Sequence, residues 1–197
     1  ERDGEVVVTT DGGAFRAANL ILTPGAWAPG LLDKLRMPLD VRKKHLYWFR
    51  CPEKRYRDSA GFPSFVFETP EGFFYGFPSI DAESIKVAMH SGGDKVEDPL
   101  NIDRGLNEED LAATRDFLAR YLPGVEHDIL RHEICFYTCT PDEHFILDRY
   151  PGSEKVVFAA GLSGHGFKFT SVLGDILACM SSGADHGLSI DFLGAGR

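Results

Sequence analysis

The sequence has no excess of positive charge. Lys and Arg number 21 against 30 Asp and Glu, a formal net charge of −9. Polyanionic backbones are bound by basic surfaces, so no nucleic-acid partner is expected. No apolar run approaches the roughly 18 residues that a membrane-spanning helix needs, and no basic-then-apolar leader opens the chain, so no membrane partner is expected. Cysteine is scarce: Cys51, Cys135, Cys139 and Cys179, with no CxxC pair. That argues against a disulfide framework, a zinc ribbon and a thioredoxin-like motif. The expectation is a reduced, cytoplasmic protein with mostly inert thiols. His127, His132, His144 and His165 show no ligand spacing, so no metal is expected. There is no GxSxG elbow, no GK[ST] and no GxGxxG. Hydrolase-type acyl transfer and a simple nucleotide-phosphate site are therefore unsupported.

What is present is enough apolar residue for a real core. Hydrophobic residues make up 43% of 197, which excludes a disordered chain and allows one large domain or two small ones. Glu5 to Thr10 is β-branched and runs into Asp11-Gly12-Gly13, a hairpin signal with its return strand near Phe15–Ala18. Asn19–Thr23 reads as a short buried strand opening into Gly25-Ala26-Trp27, and residues 28–36 as one or two helical turns stopped by Pro38. His45–Arg50, Ser64–Glu68, Gly72–Phe77 and Ser84–Met89 are short aromatic or β-branched runs, read as a meander of four antiparallel strands. Residues 91–105 read as a polar loop. Asn107 followed by three acids predicts a capped helix whose face carries Leu111, Thr114, Leu118 and Tyr121. Residues 129–138, Phe145–Asp148 and Val156–Ala160 read as strands, and Thr170–Met180 as a buried helix.

The strongest local feature is strand, glycine loop, helix over residues 156–180. Gly161, Gly164 and Gly166 let backbone approach a ligand, the helix N-terminus offers free N–H groups, and Lys168 adds positive charge. A tight turn with a surface lysine fits the same residues. Alternation puts Cys135, Tyr137 and Cys139 on one strand face. Such cysteines are usually small buried hydrophobes; a reactive role needs a positive neighbour, for which Lys168 is one candidate. Lys86, Ala88 and His90 share another strand face, which polar residues turned to solvent would also explain. Tyr75 lies in the aromatic run FFYGFP, equally a core pattern.

Taken in order and spacing, PGAW (24–27), YGFPS (75–79), IKVAMH (85–90), C-x-Y-T-x-T-P-D-E-x-F-I (135–146) and GLSGHGFKF (161–169) resemble the flavin-dependent N-methyl amino acid oxidases. This is the group of monomeric sarcosine oxidase and N-methyl-L-tryptophan oxidase. The resemblance covers essentially the whole chain, and GLSGHGFKFTSVLG is closer to the N-methyltryptophan branch. It implies an α+β / α/β fold: an antiparallel-sheet substrate domain plus the C-terminal portion of a glutathione-reductase-like FAD-binding domain. The implied segments are 1–37 (FAD domain), 38–130 (substrate sheet) and 131–197 (returning FAD domain). Cys135 matches the cysteine that bonds covalently to the flavin, and Cys139 is read as structural. Lys168 matches the lysine that binds the substrate carboxylate. The backbone of Gly164, His165, Gly166, Phe167 and Lys168 would cradle the flavin pyrimidine edge, with Trp27 also at the cofactor. Lys86 matches the lysine near flavin N5 where oxygen is reduced, its charge stabilising developing superoxide. Tyr75 and His90 match residues lining the substrate cavity. The implied reaction oxidises a secondary amine to an imine, releases formaldehyde and the primary amino acid, and yields hydrogen peroxide.

The strand–GxGxxG–helix fingerprint of the family's N-terminal half is absent, as is the arginine that partners the substrate-binding lysine. The chain is expected to be the C-terminal half of an oxidase, with that N-terminal half as a partner. Alone it is expected to hold FAD weakly or not at all and to be inactive. The strands at 20–23 and 156–160 are expected to lose sheet neighbours and to favour self-association through exposed edges. The alternatives are a non-catalytic remnant or interaction domain, and a related glycine, pipecolate or glycated-amine oxidase.

Overall fold

The computed structural model describes residues 4–197, so the first three residues of the 1–37 segment lie outside the described residues. In chain order the elements are β1 (Val6–Thr10), β2 (Gly13–Ala17), β3 (Leu20–Leu22), α1 (Ala28–Leu31), β4 (Asp40–Arg50), β5 (Phe65–Thr69), β6 (Gly72–Phe77), β7 (Ser84–Met89), β8 (Asp94–Lys95), α2 (Glu108–Tyr121), β9 (Ile129–Cys139), β10 (Ile146–Arg149), β11 (Val156–Ala160) and α3 (Thr170–Ser182). They form two compact units, Arg42–Phe136 and the pair of segments Glu1–Val41 and Tyr137–Arg197.

The Arg42–Phe136 unit is an antiparallel sheet covered on one face by α2. β5, β6 and β7 form a meander, and β4 lies against β7 rather than β5. This corrects the expected in-order meander of four strands. Alternation assigns faces to each strand but carries no information on which edges meet. β8 falls inside the stretch expected to be loop and pairs with Arg42 and Lys43 of β4. Tyr47, Phe49, Phe74, Ile85 and Val87 from the sheet pack with Leu111, Phe117 and Leu118 from α2. Each such side chain contributes about 1.5–3 kcal/mol on burial. The Asn107 side chain accepts from the N–H groups of Glu109 and Asp110, the predicted cap. Phe117 carries more of the helix's buried face than Tyr121, which is 37% exposed.

Beneath α2 lies a buried polar group. His45 Nδ1 and His132 Nε2 are 2.9 Å apart with the rings stacked, and Tyr47 stacks on His132. The Tyr47 hydroxyl and Asp110 Oδ1 are both buried outside hydrogen-bond geometry, yet the phenol feels the carboxylate: burial first, then Asp110, pushes Tyr47 far above its usual range. One imidazole nitrogen of the facing pair must donate and the other accept. Burial holds both imidazoles below 6.5; Asp110 works against it on both, while Lys43 reinforces it. Burial holds the Asp110 carboxyl above 3.8. As pH falls through 6.5 the unfolded chain therefore takes up imidazole protons that the folded chain refuses, and stability is lost. Asp110 acts in the opposite sense, its cost fading as it is protonated. The urea midpoint of this unit is expected to drop as pH falls from about 7.5 to about 5.5, where the unfolded imidazoles take up their protons. His132→Gln should flatten the slope and Asp110→Asn should steepen it; a wild-type midpoint constant over that range would remove the argument.

The other unit holds the β1–β2 hairpin and a three-stranded sheet, order β10-β11-β3. β11 pairs antiparallel with β10 and parallel with β3. The 156–160 strand thus has neighbours on both sides and all five residues are buried, against the expectation that it would lose them. Among the described residues β3 pairs only with β11, leaving one edge open, with Ile21 42% exposed. Leu173, Ile176 and Leu177 of α3 pack on Leu147, Val157 and Ala159. Val172, expected to be buried, is 38% exposed.

Candidate active site

In the sheet unit, the face turned away from α2 gathers several of the singled-out side chains. Lys86 on β7 lies in register between Trp48 on β4 and Phe77 on β6. Tyr75 pairs with Ala88 on the same face, and its ring meets those of Phe77 and His90 edge-on at 6.1 and 6.3 Å. The His90 ring also lies 5.2 Å from Phe73. A cavity of ≈ 790 Å³ opens against this face, lined by Trp48, Phe77, Ile80, Lys86 and Arg131 among others.

Burial pulls the Lys86 ammonium below its usual value, and Arg131 adds to that while Cys135 opposes it. Burial likewise pushes the Cys135 thiol up, with Lys86 and then Lys44 pulling it back. The sheet unit therefore supplies Cys135 with positive neighbours of its own, Lys86 and Lys44, where Lys168 had been the candidate in the sequence. Desolvation still outweighs them, so the resting thiol is protonated. Lys44 is itself buried and donates to the carbonyls of Ser91 and Gly92 at 2.7 and 2.6 Å.

In the other unit, β11 ends in the loop Gly161–Gly166. Gly161, Ser163 and Gly164 all take positive φ, at 62°, 47° and 74°. The Ser163 N–H donates to the Thr138 carbonyl at 2.9 Å, and its hydroxyl lies 3.3 Å from the Thr140 nitrogen. This stitching holds the loop in a conformation disfavoured for side-chain-bearing residues. His165 Nδ1 lies 3.1 Å from the Ser163 carbonyl oxygen, and its ring is 4.8 Å from Phe145. Phe167 is 90% exposed. Lys168 is exposed too, its ammonium 5.5 Å from the Phe169 ring. A single 3-10 turn, Phe167–Phe169, leads into α3, which has no side-chain cap and no acid in its first turn. Its leading N–H groups are thus not taken by a capping side chain. A groove of ≈ 660 Å³ beside the loop is lined by His165, Lys168, Phe169, Ile176 and Phe192 among others. Trp27 ends the short turn Gly25–Trp27 and is 49% exposed, and the Gly25 carbonyl accepts from the Thr138 hydroxyl. Among the described residues no group of His, Cys, Asp and Glu could hold a metal ion, and no helix is long and apolar enough to cross a membrane.

Lys86, Tyr75, His90 and Cys135 thus belong to one unit, and Gly164, His165, Gly166, Phe167, Lys168 and Trp27 to the other. Sequence reasoning passed over Trp48 and Arg131. A Trp on a strand beside a lysine-bearing strand has no local signal, because cross-strand register is not written in either segment.

This combination of an antiparallel sheet unit and a three-stranded sheet with a glycine loop feeding α3 has clear relatives. The sequence matches the FAD dependent oxidoreductase family over residues 1–180, and the chain belongs to that family. It is 40% identical over 190 residues to monomeric sarcosine oxidase of Arthrobacter sp. (strain TE1826), covering 94% of this chain and 49% of the relative. It is 38% identical over 177 residues to N-methyl-L-tryptophan oxidase of Yersinia pestis (strain Pestoides F), covering 89% and 46%. Among solved structures, fructosyl amine:oxygen oxidoreductase (Amadoriase I) of Aspergillus fumigatus superposes with a TM-score of 0.80 at 25% identity, covering 99% of this chain and 47% of that one. The fold is that of the FAD-dependent amino acid oxidases, and the chain spans about half the length of the curated relatives it matches.

Proposed function

We propose that this chain carries the substrate-facing and flavin-attaching half of an oxidase that passes two electrons from a secondary, N-methyl amino acid to O2, giving hydrogen peroxide and an imine that water hydrolyses to formaldehyde and the primary amino acid. The observation that carries the reading is the placing of Lys86, Tyr75 and His90 on one face of the sheet, turned away from α2, in the unit that also holds Cys135. Likeness to sarcosine and N-methyltryptophan oxidases supports the substrate class. Bound FAD would supply the two-electron acceptor between amine and oxygen. The residues fit such a group. Gly164 is exposed at φ 74°, so its backbone is open to approach, and the Phe167–Phe169 turn that leads into α3 has no side-chain cap to compete for an electron-rich edge. Cys135 would attach the flavin, Lys168 would bind the substrate carboxylate, Tyr75 and His90 would wall the substrate, and Lys86 would stabilise negative charge developing on oxygen. His165, Phe167 and Trp27 would flank the cofactor.

The partner this reading requires is a segment bearing the strand–GxGxxG–helix that binds the ADP part of FAD. Alone, the chain is expected to be colourless, with Cys135 unmodified by intact mass, and to produce no peroxide. The open edge of β3 and exposed Phe167 support self-association in that state. Co-expression with such a segment should place a flavin mass on the Cys135 peptide and give peroxide from N-methyl amino acids. Cys135→Ser should abolish the adduct. An assembled, flavin-loaded protein with unmodified Cys135 and no turnover of any secondary amine would overturn the proposal. The likeness to Amadoriase I favours one second reading, oxidation of a glycated amine. Peroxide from fructosyl amines and none from sarcosine or N-methyltryptophan would select it.

A further inference from the structure

Lys86 is held in an unusual way for a half-buried ammonium. Its two in-register neighbours are both aromatic, Trp48 on β4 and Phe77 on β6. The ammonium lies 5.0 Å from the Trp48 ring and 5.2 Å from the Phe77 ring. Asp81 and Glu83 line the same cavity as Lys86, but among the described residues no ion pair joins either to it; Cys135 and Arg131 are the groups that act on its charge. The same indole carries a second cation, the Arg131 guanidinium at 4.6 Å, contributed by β9, which also pairs with β4. Arg131 differs from Lys86 in having a counter-charge: its Nε donates to Glu133 Oε1 at 3.1 Å.

The distinction has chemical content. A carboxylate partner would hold the lysine but neutralise its field. Aromatic faces attract the cation through the ring quadrupole and leave its full charge uncompensated. A preorganised, unneutralised charge is the kind that stabilises an anion developing in front of it. We propose that Trp48 and Arg131 are positioning residues for Lys86: the indole, with Phe77, forms a slot that fixes the ammonium, and Arg131, braced by Glu133, stacks on the same indole and fixes the slot. The purpose assigned to the slot rests on the oxidase reading above. The slot itself does not.

The test is made on the 197-residue chain without flavin, by following the Lys86 ε-methylene in ¹³C-resolved NMR across a pH titration. In the wild type this group is expected upfield of the other lysines through the Trp48 ring current. Trp48→Leu should return it to the ordinary lysine position, and Trp48→Phe should keep part of the displacement, a rescue that a purely structural role for the indole would not produce. Arg131 is 61% exposed at its side chain, so Arg131→Gln should fold even if Trp48→Leu does not. It should shrink the displacement as the indole loosens and move the Lys86 titration upward as the like charge is removed. Arg131→Lys should retain the titration and lose part of the displacement. A Lys86 resonance with no ring-current displacement in the wild type, or one that Arg131→Gln leaves unchanged in both position and titration, overturns the inference. Because no flavin enters this measurement, its failure is separable from failure of the oxidase reading, which the complementation experiment decides.

Discussion

Gly76→Ala is expected to cost about 3 kcal/mol or more and to lower the unfolding midpoint of the sheet unit sharply. Gly76 sits inside the sheet, paired with Phe65 of β5 on one side and Val87 of β7 on the other. An added Cβ would come well under 3.0 Å from the Phe65 ring and from the Lys86 carbonyl oxygen. The ring could swing only by disturbing its edge contacts with Phe62 and Phe67. The carbonyl belongs to the backbone of β7, and moving it breaks the β6–β7 pairing on which Lys86 and its neighbours depend. Against a total stability of about 5–15 kcal/mol, that is a large fraction. Denaturant unfolding followed by circular dichroism measures it. A midpoint equal to wild type would mean the sheet shifts more freely than its pairing implies.

Gly164→Ala is expected to be the most damaging change in the glycine loop. Its φ of 74° already disfavours a side chain by about 1 kcal/mol. The new methyl would also fall well under 3.0 Å from several atoms of the Tyr137 ring. Tyr137 is buried, so the loop must yield, and the combined cost is about 2–4 kcal/mol. Gly174→Ala in α3 is the matched control in the same unit. A Cβ there meets nothing within 4 Å, and replacing helical glycine by alanine should stabilise by up to about 1 kcal/mol. In the assembled oxidase proposed above, Gly164→Ala should also lower flavin retention at least tenfold while Gly174→Ala leaves it unchanged, read from absorbance after gel filtration. Equal retention in both variants would detach the loop from cofactor binding.

Much of this protein is legible in its sequence because the signals are local. Asn107 and three following acids define the start of α2, since the cap is made by neighbours two and three residues on. Val156–Ala160 is a strand at the predicted bounds because five apolar residues are bracketed by loop residues. The glycines of 161–166 announce a loop that needs positive φ, and the motifs that resemble the amine oxidases are contiguous strings. Those strings name Cys135, Lys86 and Lys168 without any coordinates.

Tertiary structure decided what depends on which strands lie side by side. Alternation said that Lys86 and His90 share a face, but only pairing of β4 with β7 put Trp48 beside Lys86, and only pairing of β9 with β4 brought Arg131 to the same indole. The same pairings joined His45 to His132 across 87 residues and gave Cys135 its lysine neighbours. Strand edges present the same backbone donors and acceptors whatever their sequence, so the choice of partner is made by the packing of whole faces in the core.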